Sequence, residues 1–224
     1  MIVDAKLPGA TWALGKYIEH KLRRAFRGIW LSGALPDEPG GLLAYANHSS
    51  FWDGFVAWLV NNRAGRDGYL VMEEHMLARY RFFARGGAFS IRRNDRGSAL
   101  QTLRYAAKVL ARPKSTVFVF PQGRIVANAL PPLRFERGVE VLARMAKVRC
   151  VPVAFRFAFL EHEYPDVMIR VGESHLPEPV ASMEQRLGAL VTQLSLTQEP
   201  PAQPALLQGR KSVAQRWDTV RGLT

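Results

Sequence analysis

Between Trp12 and Trp30 the larger apolar residues Leu14, Ile18, Leu22, Phe26 and Ile29 recur at the spacing of one stripe along a helix. Lys16, Lys21, Arg23, Arg24 and Arg27 occupy the other faces, with Trp12, Tyr17 and Trp30 near the ends. That arrangement suits the headgroup zone of a membrane, where basic side chains stay wet and aromatic rings sit at the boundary. It also suits a helix packed on the domain's own core, and the pattern alone leaves both open.

Downstream, short apolar runs alternate with segments of helical length. "LLAYA" reads as a buried strand leading through a polar loop into "DGFVAWLVNN", which has helical length with Asp53 at its start. "GYLVMEE" is a second strand, "HMLARYRFFAR" a short basic helix and "GGAFSIRR" a third strand. "SALQTLRYAAKVLAR" follows with Leu100, Leu103, Ala107 and Leu110 at helical spacing. "STVFVFPQG" is a β-rich strand stopped by proline, "RGVEVLARMA" a helix, and "VRCVPVAFRF" and "DVMIRVGE" two more strands. Strands alternating with helices predict an α/β fold: a central, mostly parallel sheet flanked by helices, preceded by an amphipathic, membrane-contacting helix. The expected organisation is a helical segment over 1–35, an α/β domain over 36–197, and a proline-rich linker with a basic C-terminal segment over 198–224. In that tail Val213, Trp217 and Val220 fall on one side of a short helix.

Composition narrows the classes. Of 224 residues, 48% are hydrophobic and 22% charged, the balance of an ordered globular chain with one sizeable core. A formal net charge of +12 directs the surface toward anions: nucleic acid, anionic lipid headgroups or phosphorylated substrates. The single cysteine, Cys150, lies in the apolar run "VRCVPVAF" and reads as a buried strand thiol. No run approaches the ~20 apolar residues that cross a bilayer, and no signal pattern opens the chain, so a cytoplasmic location is expected.

The polar cluster at the first strand-to-helix junction is "NHSSFWD", with His48 and Asp53 five residues apart. On an unbroken helix those side chains would diverge by about 140°. They meet only if the segment between them turns, and a histidine oriented by a carboxylate is what general-base attack by an alcohol requires. Taken alone, the pair reads as a helix-capping aspartate beside an incidental histidine.

Three later blocks, "GAFSIRR", "FPQG…LRFERG" and "VPVAF", follow "NHSSFWD" in order, and together they resemble the lysophospholipid acyltransferase family, which includes 1-acylglycerol-3-phosphate acyltransferases. Asn47, His48 and Asp53 match its Asn-His-x4-Asp block; Gly87, Phe89, Ile91 and Arg93 resemble its second block. In the third block, Phe-Pro-Glu-Gly-Thr-Arg-Ser, Phe120, Pro121 and Gly123 match, while Gln122, Arg124 and Ile125 stand in place of Glu, Thr and Arg. Phe135 to Gly138 resembles Phe-Lys-Arg-Gly, which brings in Arg137.

The resemblance implies acyl transfer from acyl-CoA or acyl carrier protein, as co-substrate, to a hydroxyl of a lipid acceptor. It makes His48 the general base and Asp53 its orienting partner, with Asn47, Arg93, Gln122, Gly123, Arg124 and Arg137 as substrate-binding candidates. Backbone N–H groups at the start of the Asp53 helix are candidates for holding the oxyanion. The chemistry demands neither metal nor cofactor, and the implied setting is peripheral, on the cytoplasmic face of an anionic membrane. Gln122 keeps an acceptor oxygen for a sugar or glycerol hydroxyl, whereas Ile125 can do nothing for a phosphate. The departures therefore favour a glycolipid or glycosylated isoprenoid acceptor over lysophosphatidate. An ordinary 1-acylglycerol-3-phosphate acyltransferase that uses Arg93 and Arg124 stays open, as does a non-catalytic basic protein that binds membrane or nucleic acid, although no nucleic-acid-binding motif supports the latter partner. "LEHEYPD" reads as a solvated loop rather than a metal site, and His75 and His175 as structural or exposed.

Overall fold

The computed structural model of the chain describes residues 1–127 and 129–222. Eight strands form one sheet: β1 (Gly28–Ser32), β2 (Leu42–Ala46), β3 (Asp67–Glu73), β4 (Ala88–Ile91), β5 (Ser115–Val119), β6 (Arg149–Ala158), β7 (Asp166–Val171) and β8 (Leu207–Gln208). They lie in the order β4-β3-β5-β2-β6-β7-β1-β8. Strands β2 to β6 all run the same way. β7 opposes β6, β1 runs with β7, and β8 opposes β1. The carboxyl ends of β2 to β6 and of β8 therefore face one edge of the sheet.

The fold is the expected α/β architecture, in three layers. Alternate residues of β2 explain why its sequence is apolar throughout: Leu42, Ala44 and Ala46 enter one core, Leu43 and Tyr45 the other. The first core is covered by α1 (Pro8–Ala25) and α2 (Asp53–Arg63), the second by α4 (Arg96–Leu110), α5 (Gly138–Ala146) and α6 (Val180–Ser195). α3 (Glu74–Arg79) follows β3, and α7 (Val213–Val220) follows β8.

Two expectations change. The first helix ends at Ala25, because the chain turns extended at Phe26 and Ile29 and Trp30 enter β1 beside β7. The stripe of Leu14, Ile18, Leu22, Phe26 and Ile29 is buried in the first core rather than presented to lipid. Gly15 lets α1 approach α2 closely enough for this: a Cβ there would stand 2.5 Å from the Trp58 ring. Trp12 and Tyr17 remain exposed. On α4 the buried face runs through Ser98, Thr102, Ala106, Val109 and Leu110, so Leu100 is left in solvent.

Two buried arginines fasten the periphery. Arg27 forms a two-pronged pair with Asp166, through Nε at 2.9 Å and Nη2 at 2.7 Å, which ties the end of α1 to the start of β7. Asp166 therefore leaves the "LEHEYPD" cluster for the interior. Arg66 donates to Thr116 Oγ1 and to the carbonyls of Pro36, Glu38, Gly40 and Ser115, which pins the loop before β2 against β5. Burial lowers its pKa from the ordinary arginine value, against the opposing charges of Glu38 and Asp37.

In the second core Tyr45 donates its hydroxyl to His175 Nε2 at 2.9 Å, and His175 Nδ1–H donates to the Leu176 carbonyl at 2.7 Å. Burial lowers the His175 pKa and pushes the neighbouring Cys150 thiol up to about 12. Histidine then binds protons more readily in the unfolded chain than in the folded one. Its contribution is complete above about pH 6.5 and is lost as pH falls toward the lower folded value. Thermal unfolding of the wild type should accordingly fall more steeply with acidification through that window than unfolding of His175→Gln; equal slopes would remove His175 as the cause.

Candidate active site

The chain leaves β2 at Ala46 and must turn into α2 at the carboxyl edge of the sheet. Asn47 fixes the exit. Its amide donates to the Phe155 carbonyl at 2.9 Å and accepts the Phe155 N–H at 2.8 Å, imitating a strand neighbour on β6. Asn47 is buried and both its amide groups are committed, so it supports the site rather than reaching a substrate. His48 follows, with its N–H on Gln122 Oε1 at 2.7 Å and its carbonyl accepting from Val126 N at 2.8 Å. Its ring stacks on Phe120 at 4.5 Å between centroids.

The turn from Ser49 to Trp52 brings His48 and Asp53 together. Asp53 Oδ2 accepts three hydrogen bonds: from His48 Nδ1 at 2.7 Å, Ser49 N at 2.7 Å and Ser50 N at 2.9 Å. Asp53 is fully buried, and a carboxylate there is stable only when its charge is met by such donors. A carboxylate can only accept from the ring, so Nδ1 carries a proton, and in the neutral imidazole Nε2 is left with the lone pair. Among the described residues Nε2 has no protein partner, and the His48 side chain is 24% exposed. The arrangement equips Nε2 to take a proton from a group arriving at the carboxyl edge.

The third block lies beside it, after β5. Gly123 has φ of +64°, and a Cβ there would come within 2.6 Å of Arg93 Nη1, so glycine gives this guanidinium its place. The Arg93 Nε donates to Glu73, and Arg92 pairs with Glu74 at 2.6 Å. Glu74 is held well below the usual carboxylate range, at about 2, chiefly by Arg92 and then by the N-terminal amine. With His75, these residues line an open groove of about 520 Å³. Glu136 N donates to the Pro121 carbonyl, which joins the "FERG" block to the third. Arg137 is exposed just before α5, and Arg124 and Ile125 are exposed after Gly123. Asn128 lies outside the described residues.

Gln122 proves to be buried, and its side-chain oxygen is taken by the His48 backbone, so it is not free to accept a hydroxyl from an acceptor. Four N–H groups at the start of α2 are already committed. The N–H groups of Ser49 and Ser50 serve Asp53, that of Trp52 serves Ser50 Oγ, and that of Asp53 serves the Ser50 carbonyl. Sequence reasoning passed over Phe120 as a stacking partner and Glu73 as the counterion of Arg93. The first lay within a quoted motif, whereas the second depends on β3 and β4 being neighbours.

An acyltransferase family profile matches residues 31–156, which contain every block described above. A search of curated proteins gives no match. Among solved structures the chain is similar to the 1-acyl-sn-glycerophosphate acyltransferase PlsC of Thermotoga maritima. That likeness has a TM-score of 0.60 and 15% identity, and covers 85% of this chain and 83% of that one. It extends the common fold well beyond the matched motifs.

Removing the Asn47 amide should loosen this turn. Asn47→Ala is expected to cost about 2 kcal/mol of stability for two buried hydrogen bonds, read from urea unfolding; a loss below ~0.5 kcal/mol would show that Phe155 finds other partners.

Proposed function

The chain belongs to the acyltransferase family and is an acyl-transferring enzyme, and from that premise we propose that His48 and Asp53 move a fatty acyl group from a thioester to a hydroxyl of a membrane lipid. Family membership closes the non-catalytic alternative. The observation that carries the mechanism is the His48 ring, with Nδ1–H held on Asp53 and Nε2 open at the sheet edge. Nε2 takes the acceptor's hydroxyl proton as the oxygen attacks the thioester carbonyl carbon. The tetrahedral adduct collapses by breaking the C–S bond, and the leaving thiolate recovers the proton from the imidazolium. Asp53 stabilises that imidazolium and keeps its orientation throughout. The donor is an acyl-CoA or acyl carrier protein thioester.

The acceptor is read as a neutral glycolipid or glycosylated isoprenoid rather than lysophosphatidate. Supporting this, Glu73 takes the Nε of Arg93 and offsets its charge, and exposed Ile125 offers an apolar side chain to whatever lies beside Gly123. One observation favours the second reading, 1-acylglycerol-3-phosphate as acceptor. Arg124 is exposed, without an ion pair among the described residues, one position from Gly123. Such an acceptor places the protein at a membrane, read here as a peripheral position on the cytoplasmic face. None of the described helices is long and apolar enough to cross one.

Incubation with long-chain acyl-CoA and either lysophosphatidate or a neutral glycolipid extract, followed by mass spectrometry, tests this reading. Transfer to the glycolipid alone is expected; transfer to lysophosphatidate that Arg124→Ala abolishes would establish the second reading instead. Asp53→Asn keeps an oxygen for the three N–H donors but removes the charge. It should therefore lower kcat by about 10²- to 10⁴-fold while the fold persists, and full activity in that variant would exclude the pair from catalysis.

A further inference from the structure

We infer that α7, with the loop between β6 and β7, docks the carboxyl edge of the sheet onto an anionic lipid bilayer. This rests on the membrane-lipid acceptor proposed above, and assigns the docking to a part of the chain other than the first helix.

Topology supplies the placement. β8 opposes β1, which opposes the parallel block, so β8 ends at the same edge as β2 and its His48 turn. There Gly209 N donates to the Arg27 carbonyl and Arg210 N to the Phe26 carbonyl, each at 2.9 Å. Arg210 lies over the Tyr164 ring at 4.8 Å, and Glu163 accepts the Val213 N–H at 2.7 Å. Both partners belong to the loop after β6, the strand that Asn47 grips. Ser212 is buried and closes a reciprocal cap with Gln215: Ser212 N donates to Gln215 Oε1 at 2.9 Å, and Gln215 N to Ser212 Oγ at 3.1 Å. α7 is thus fixed against the β6–β7 loop, at the sheet edge that also carries the His48 turn.

What α7 presents is apolar and uncovered. Val213, Trp217 and Val220 follow one helical stripe and are 56%, 59% and 76% exposed. At the same edge, Phe159 after β6, Ile125 after β5 and Phe51 within the His48 turn are also exposed. Large apolar side chains gathered at one edge mark an interaction surface. Charge favours an anionic partner: from Arg210 to Arg221 the sequence holds Arg210, Lys211, Arg216 and Arg221 against Asp218, and the adjoining loop adds Glu161 and Glu163, the latter committed to the Val213 N–H. A short helix with a tryptophan-bearing apolar stripe and flanking arginines matches the boundary of an anionic membrane. Docked this way, Nε2 of His48 faces the lipid from which the acceptor hydroxyl is drawn.

Sedimentation of the full chain with vesicles of phosphatidylcholine, with and without phosphatidylglycerol, provides the test. Wild type and Trp12→Ser are expected to pellet with the anionic vesicles. Val213→Ser/Trp217→Ser should weaken that partitioning about tenfold or more, with an unchanged melting temperature, and Arg216→Glu/Arg221→Glu should weaken it for anionic vesicles only. Undiminished binding by both double variants, or loss in Trp12→Ser alone, would overturn the inference. So would a wild-type dimer in sedimentation velocity that Val213→Ser/Trp217→Ser dissociates, because the stripe would then be covered by a second copy. Vesicle binding needs no turnover, so a failed acyl-transfer reading with intact α7-dependent binding stays distinguishable from failure of this one.

Discussion

A carboxylate sealed from solvent has to gather donors, and in this protein the demand falls on Asp53. Its Oδ2 collects the N–H groups of Ser49 and Ser50 and the ring of His48, so the backbone between β2 and α2 is curled around a single oxygen. The curl determines the rest of the site. It aims Nε2 of His48 outward, exposes Phe51 at the apex, and brings the His48 backbone within reach of Gln122. Replacing that carboxylate by an apolar group would leave three donors without an acceptor.

Around this turn the neighbouring strands act as clamps at the same edge. β6 holds Asn47, the segment after β5 holds the N–H and carbonyl of His48, and Phe120 backs the ring. The clamps come from β5 and β6, the two strands that flank β2, so the geometry depends on strand order and not on local sequence. The carboxyl edge of an open parallel sheet is the usual place for such convergence, because loops from adjacent strands diverge there and leave a crevice.

The chain's basic character divides in two. Arg27 and Arg66 lie inside and satisfy carboxylate and carbonyl groups, while Arg92 and Arg93 carry their own glutamates on the rim of the groove. Positive charge available to an outside partner is therefore less than the formal value suggests. Part of what remains lies along α7, on the edge that carries the histidine.

The sequence by itself determined the α/β class and most of the strands, because parallel strands buried on both faces read as apolar runs, and its short motif blocks brought out His48 and Asp53 as a pair. It also fixed that His48 and Asp53 need a turn between them in order to meet. What covers an apolar stripe was not legible. The stripe of α1 satisfies the same spacing whether lipid or the sheet lies beneath it, and only the packed structure shows Ile18 and Leu22 against α2 and the sheet. β1 was hidden because Ile29 and Trp30 continue the helical rhythm, and α6 lies in residues to which the sequence reading gives no element. Gln122 pairing with the His48 backbone, Glu73 with Arg93, and Tyr45 with His175 join residues far apart in the chain. Hydrogen bonds across such separations are set by strand order and register, which tertiary structure alone decides.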